Sequence, residues 1–356
     1  MTPPSMRAAV VRGPGRIEIE ERPIPDPEPG EVRVRVRACG VCGSDLSLFH
    51  NSFYATGCIP GHEIAGVVDA LGDGVSGPRP GDSIAVEPLR SCGSCRTCRE
   101  GRDAICRQME ITGIHRPGGF AEYVTVPAQR LFSIPSDLDP ALAALTEPMA
   151  VVVHGLRRGR LAQGERVLVI GAGSVGLLAV VAARALGAGD VWLTARHPHQ
   201  AQLGARLGAN RVLSETEASV LELDSLGKQS PIDLVVETVG GSAETLNAAS
   251  AAVRPGGTIS VVGVFMNTLA LQPMPLFLKE CTLAWSNCYD HPHEGSDHEG
   301  ADQKGADFDT AVELVSSHRD ALGDLTTNGV SLDEIERAYA IASDKKAGVV
   351  KVSVLP

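Results

Sequence analysis

Four cysteines lie in one short segment, Cys92, Cys95, Cys98 and Cys106, spaced C-x2-C-x2-C-x7-C. Turns of this length can bring four thiolates around one tetrahedral zinc, which leaves no position open for a substrate. The segment reads as a structural metal site, with disulfides or a small iron–sulfur cluster as competing uses of the same sulfurs. Arg107, not proline, follows the fourth cysteine, unlike the common bacterial ferredoxin run. A second set of metal-ligand types is dispersed along the chain. Cys42 precedes Gly43, Ser44 and Asp45; His62 and Glu63 are adjacent; Glu147 stands before Pro148. Three such side chains and a water suffice for a catalytic zinc. The pair His62-Glu63 is not the H-E-x-x-H of metalloproteases, because Gly66 occupies the second histidine position.

A third motif points to a dinucleotide. The apolar run 167–170 leads straight into Gly171, Ala172, Gly173, Ser174, Val175 and Gly176, a G-x-G-x-x-G followed by an Ala/Leu-rich stretch. The glycines allow the tight turn and the close approach of backbone amides to a pyrophosphate at a helix N-terminus. An NAD enzyme carries Asp or Glu at the end of the next strand, about 20 residues on, to bind the ribose hydroxyls. Here Thr194 is followed by Ala195 and Arg196, a guanidinium with no carboxylate beside it, which favours the 2′-phosphate of NADP over NAD. The alternative is a solvent-facing Arg196 in an enzyme that uses either cofactor.

These residues need elements to position them. The first part of the chain is β-rich: residues 7–12, 16–20 and 31–37 are strand-like, the last alternating apolar and charged residues, and 23–29 is a proline-rich connection. Composition changes near residue 155. Strands at 166–170, 190–194, 232–236 and 258–262 then alternate with helices at 174–187, 198–207 and 243–253. This order predicts an α/β fold with a Rossmann doubly wound parallel sheet. The stretch 258–265 is expected to form a sheet edge that could pair between subunits. Residues 290–307 read as a polar, exposed loop that leaves His291, His293 and His298 solvated. Helices at 308–317 and 333–342 and a strand at 348–353 close the chain.

At 356 residues, with 43% hydrophobic and 21% charged residues, the chain suits a soluble protein of two domains. A net charge of −11 without a basic run argues against nucleic-acid or anionic-membrane partners. No apolar run reaches the 18 residues of a membrane span, and the N-terminus lacks a signal-peptide pattern. An odd count of nine cysteines fits the cytoplasm.

Taken in order, C-G-S-D at 42–45, G-H-E at 61–63, the four-cysteine lobe, Gly118-Gly119-Phe120, Glu147-Pro148, the glycine fingerprint and Lys351-Val352 resemble the zinc-containing medium-chain dehydrogenase/reductase family. That family includes alcohol, sorbitol, threonine and sugar dehydrogenases. The resemblance spans essentially the whole chain. It implies a GroES-like catalytic domain over 1–155 with the zinc lobe at about 90–108, a Rossmann domain over 156–288, and a segment, 289–356, that returns to the catalytic domain. It implies that Cys42, His62 and a carboxylate, Glu63 or Glu147 or both, bind the catalytic zinc, that Asp45 orients His62 and that Ser44 relays the substrate proton. With the lobe, that makes two zincs per chain.

Glu147 stands where liver-type alcohol dehydrogenases carry cysteine, which implies the polyol and sugar branch. Ser47 stands where many relatives have a histidine that passes the proton on, so the relay ends in water or another group. Phe49, Phe53, Tyr54 and Phe120 are candidates for shaping the substrate side, and Cys39, Cys58, Cys281 and Cys288 remain as ordinary thiols. The implied reaction moves a hydride between NADP, or NAD, and an alcohol or carbonyl such as a polyol, a sugar or another secondary alcohol, in a homodimer or homotetramer. The rival readings are a zinc-independent quinone or enoyl reductase of the same fold and a non-catalytic binding protein.

Overall fold

The computed structural model describes residues 4–50, 54–291, 307–326 and 328–356. The chain divides into two compact units, one of Met1–Glu147 with Asp290–Pro356 and one of Pro148–Tyr289. The first junction falls within the helix Thr146–Arg158, earlier than the composition change at residue 155.

Glu31–Gly40 organises the first unit. Val32, Val34 and Val36 are buried while Arg35 and Arg37 are exposed, the alternation of a strand with one face on a core. It pairs antiparallel with Glu63–Leu71 on one side, and with Tyr123–Pro127 and Val352–Leu355 on the other. Its valines pack with Ile64, Val68, Ile84, Phe120, Val124 and Val126. Each such side chain contributes about 1.5–3 kcal/mol on burial, so a few offset the several kcal/mol per ion of burying Glu63 and Lys351. The register then sets the site. Gly40 lies opposite Glu63, and Ser353 meets Gly40 from the other side, which brings the end of Lys351 to Glu63. A Cβ at Gly40 would lie 1.9 Å from Glu63 Oε2 and 2.8 Å from Lys351 Cε, so the position requires glycine.

The second unit holds a six-stranded parallel sheet. Its order is Arg211–Leu213, Asp190–Thr194, Arg166–Ile170, Ile232–Glu237, Val253–Val261 and Thr282–Trp285. Numbered along the chain, this is the 3-2-1-4-5-6 order of a doubly wound dinucleotide fold. The helices Ser174–Ala185, Pro198–Arg206, Val220–Gln229 and Thr245–Ala252 connect the strands. Among the described residues no helix is long and apolar enough to cross a membrane.

Three expectations change. The stretch 258–265 is not an edge: Val253–Val261 is paired on both sides, and the edge belongs to Thr282–Trp285, a four-residue strand too short to announce itself by periodicity. The last strand is Val352–Leu355, with Lys351 just before it. His291 is not solvated. Its Nδ1 lies 2.9 Å from Oε2 of the buried Glu87, and its ring packs edge-on against Phe132. His293 and His298 lie outside the described residues.

Candidate active site

Where Glu31–Gly40 ends, the chain turns through Val41 and Cys42 into the helix Gly43–His50. Asp45 in its first turn accepts a hydrogen bond from the Cys42 backbone N–H at 2.9 Å, which fixes the turn and the direction of the cysteine. The facing strand Glu63–Leu71 begins immediately after His62. Ligand atoms of Cys42, His62 and Glu63 lie within 4.8 Å of one another, a spacing that one metal ion can bridge. Cys42 is half-buried; His62 and Glu63 are buried.

Each ligand has a supporting partner. Asp45, fully buried, places Oδ1 3.5 Å from His62 Nδ1, an ion-pair distance without hydrogen-bond alignment, which leaves Nε2 as the metal-facing nitrogen. Tyr54 donates its hydroxyl to Asp45 Oδ1 at 2.5 Å. Burial acts to raise the Asp45 pKa, but His62, Tyr54 and the Cys42 amide hold it below the usual carboxylate range. Burial likewise opposes charge on His62, and Asp45 outweighs it, raising that pKa well above the usual value. Lys351 Nζ contacts Glu63 Oε2 and donates to the Val41 carbonyl at 3.2 Å. Burial acts to lower the Lys351 pKa, and the charges of Glu63 and Cys42 raise it. A buried carboxylate is thus matched by a buried ammonium.

Glu147 is buried in the first turn of Thr146–Arg158, yet its carboxylate is outside the group that meets within 4.8 Å; its charge acts on Lys351. Ser44 is half-buried two residues from Cys42, and Ser47 is exposed, its hydroxyl donating to the Gly43 carbonyl at 3.4 Å. Phe49, Tyr54 and Phe120 are buried in the hydrophobic core, where Phe49 and Phe120 pack on Tyr339, because their positions face the sheet; Phe53 is outside the described residues. Tyr54 acts instead through Asp45. Neither that role nor the pairing of Lys351 with Glu63 was read from sequence, although a single lysine in the apolar run Val349, Val350, Lys351, Val352 was a visible signal.

The four cysteines of the lobe converge. Their Sγ separations are 3.4 Å (Cys95–Cys98), 3.6 Å (Cys92–Cys106), and 3.9 Å for Cys92–Cys98 and Cys95–Cys106. Sulfurs at about 2.3 Å from a tetrahedral zinc stand about 3.8 Å apart, so the set fits. No pair is disulfide-bonded. Backbone N–H groups at Ser94 and Cys95 pull the Cys92 thiol down to about 6, while burial pushes Cys98 up to about 12. Asp103, inside the lobe, is bound by Arg130, which also binds Glu87.

In the second unit Gly171 takes φ +105°. A Cβ on Gly176 would lie 1.8 Å from the Gly171 carbonyl oxygen, while one on Gly173 would meet nothing within 4 Å. The loop is closed at Gly176 and open at Gly173, where Gly173 begins the twelve-residue helix Ser174–Ala185 with no side chain capping it. The amides of Ser174 and Val175 are thereby free for an anion. Gly171 N–H donates to Thr194 Oγ1 at 2.9 Å, which ties the loop to the strand leading to Ala195 and Arg196. Ala195 is buried; Arg196 is exposed and paired with Glu215 at 2.9 Å.

Residues 28–136 match the alcohol dehydrogenase GroES-like domain, and residues 174–299 match the zinc-binding dehydrogenase family. Sorbitol dehydrogenase of Bacillus subtilis strain 168 is 35% identical over 269 residues, 74% of this chain and 76% of the relative. The chain belongs to the zinc-containing medium-chain dehydrogenases. Galactitol 1-phosphate 5-dehydrogenase of Escherichia coli K12, 30% identical, spans 99% of this dehydrogenase and 100% of its own length. A Sinorhizobium meliloti 1021 protein described as a zinc-binding dehydrogenase, solved with NADP bound, superposes with a TM-score of 0.86 at 31% identity, covering 99% of this chain and 100% of its own. This medium-chain dehydrogenase is accordingly a zinc-dependent oxidoreductase that moves a hydride between NAD(P) and an alcohol or carbonyl.

Proposed function

We propose that the enzyme is an NADP-preferring dehydrogenase of polyols, sugars or similar secondary alcohols, with two zincs per chain of which only the dispersed one meets substrate. The convergence of Cys42, His62 and Glu63 within 4.8 Å, beside the half-buried Ser44, carries this reading. A zinc there supplies Lewis-acid polarisation of the alcohol oxygen. Cys42, His62 and Glu63 hold the ion, Asp45 keeps His62 oriented, and Lys351 balances the charge of Glu63. Ser44 takes the substrate hydroxyl proton and passes it toward solvent past the exposed Ser47, a short route that replaces a histidine relay. Glu147, through its effect on Lys351, tunes the same charge balance. The four sulfurs of the lobe close their own tetrahedron and leave no position for a substrate. In the other unit the amides after Gly173 bind the pyrophosphate, Ala195 leaves room at the ribose and Arg196 pairs with the 2′-phosphate. The named activities of the sorbitol and galactitol 1-phosphate relatives support the substrate class.

Assembly into a homodimer or homotetramer is part of the proposal. Among the described residues the edge strand Thr282–Trp285 pairs on one side only, and Trp285 in it and Phe277 and Leu278 shortly before it are exposed. A cytoplasmic location fits nine cysteines without a disulfide. The test is elemental analysis of the purified enzyme followed by a screen of polyols, sugars and amino alcohols with NADP and NAD. Two zincs per chain and turnover with NADP are expected. One zinc or none, or NADP use untouched by Arg196→Asp, would overturn the reading.

A further inference from the structure

The sequence places no carboxylate after the second strand of the dinucleotide sheet, but the fold brings one there from the third. Asp190–Thr194 and Arg211–Leu213 run parallel, with Thr194 beside Leu213, and Ala195 N–H donates to the Leu213 carbonyl at 2.9 Å. Both chains leave the sheet from this shared point, so Arg196 and Glu215, each two residues beyond it, meet: Arg196 Nε lies 2.9 Å from Glu215 Oε1. The turn carrying Glu215 is closed on itself. Glu217 accepts hydrogen bonds from Ser214 N–H at 2.9 Å and Ser214 Oγ at 2.7 Å. Facing it, the nine-residue helix Pro198–Arg206 has no acidic residue in its first turn, and His197 at its start makes no capping hydrogen bond. Glu215 is thus the carboxylate that the fold places against the Arg196 guanidinium.

We propose that Glu215 sets the cofactor selectivity of this enzyme by competing with the 2′-phosphate for Arg196. The inference rests on the NADP reading of Arg196 given above. In a doubly wound sheet the adenosine ribose is read at the end of the second strand, where Arg196 stands. A 2′-phosphate must draw the guanidinium away from Glu215 before the two can pair. The 2′-hydroxyl of NAD needs no guanidinium and can donate to a carboxylate. Glu215 therefore lowers affinity for NADP and leaves NAD usable, so one arginine and one glutamate from neighbouring strands hold the enzyme between the two cofactors. The pair is largely exposed, at 70% and 67%, so the competition has the size of a surface ion pair, about three- to fivefold in affinity.

The test titrates the zinc-loaded enzyme with NADPH and with NADH by fluorescence, with no substrate present. Glu215→Gln is expected to tighten NADPH about three- to fivefold and to move NADH by less than about twofold. Arg196→Ala is expected to weaken NADPH, and adding Glu215→Gln to Arg196→Ala should give no further gain, because the effect runs through the guanidinium. If Glu215→Gln leaves the NADPH to NADH ratio unchanged while Arg196→Ala weakens NADPH, the role of Glu215 is refuted and the NADP reading stands. A gain that persists in the Arg196→Ala background refutes it as well. If Arg196→Ala leaves NADPH binding intact, the NADP reading falls and the inference with it.

Discussion

Arg130→Met should be among the most destabilising single changes in the first unit. Arg130 is 4% exposed and binds two carboxylates that are themselves buried, Glu87 at 1% and Asp103 at 0%. Asp103 belongs to the cysteine lobe and Glu87 follows the strand Ser83–Val86, so this cation joins the lobe to the sheet. At an effective dielectric of about 20, a charge pair about 4 Å apart is worth about 4 kcal/mol. Methionine forfeits two such attractions and recovers the several kcal/mol that desolvating the guanidinium costs, which leaves a net loss of about 3–5 kcal/mol. His291 remains on Glu87 in the variant. For a unit of roughly 200 residues this corresponds to a melting temperature lower by about 6–20 °C, read by near-UV circular dichroism with zinc content checked in parallel. The decisive control is Arg130→Met combined with Glu87→Gln and Asp103→Asn, which removes the two carboxylate charges that Arg130 answers and should restore most of the loss. A single variant that melts within about 2 °C of the parent, or a combined variant no better than the single one, would refute the reasoning.

Three further outcomes are expected. Zinc bound to the lobe must compete with the proton on Cys98, pushed up to about 12, so its apparent affinity should fall at least about tenfold per unit as pH drops from 8 to 6; Cys92, near 6, steepens the loss only below that, as a chromophoric zinc chelator would show. Asp45→Asn removes the anion behind His62 and should cost about 10–100-fold in affinity for the catalytic zinc or in kcat, while the lobe zinc survives dialysis against chelator. Gly176→Ala sets a methyl 1.8 Å from a backbone carbonyl and should weaken NADPH and NADH alike by about tenfold in a fluorescence titration, with both zincs retained.

Which features were legible in sequence follows from what each demands. The cysteine lobe and the glycine fingerprint depend on residue type at short spacing, and Cys92, Cys95, Cys98, Cys106, Gly171 and Gly176 do come together as that chemistry requires. The parallel sheet was legible because its central strands are buried on both faces and read as apolar runs. The strand Arg211–Leu213 was not, since three residues carry no period, and with it the approach of Glu215 to Arg196 was hidden. The last strand begins later than expected because its pairing, with Asn328–Ser331 and with Cys39 and Gly40, starts only at Val352. Tyr54 reads as a substrate-side aromatic until the fold turns its hydroxyl onto Asp45.

The dispersed site and the lobe solve opposite electrostatic problems. In the lobe four thiols surround one point, and backbone N–H groups lower the cost of ionising those nearest the surface, as at Cys92. The lobe needs no cation of its own, and its one buried carboxylate, Asp103, is answered from outside by Arg130. In the dispersed site the buried carboxylates Asp45, Glu63 and Glu147 stand among the buried His62 and Lys351, whose pKa values their charges act to raise. Burying carboxylates is costly, and a divalent ion held by Cys42, His62 and Glu63 would offset that cost. Lys351 then has a definite purpose. Without it Glu63 would lend more of its charge to such an ion, whose pull on an alcohol oxygen would weaken.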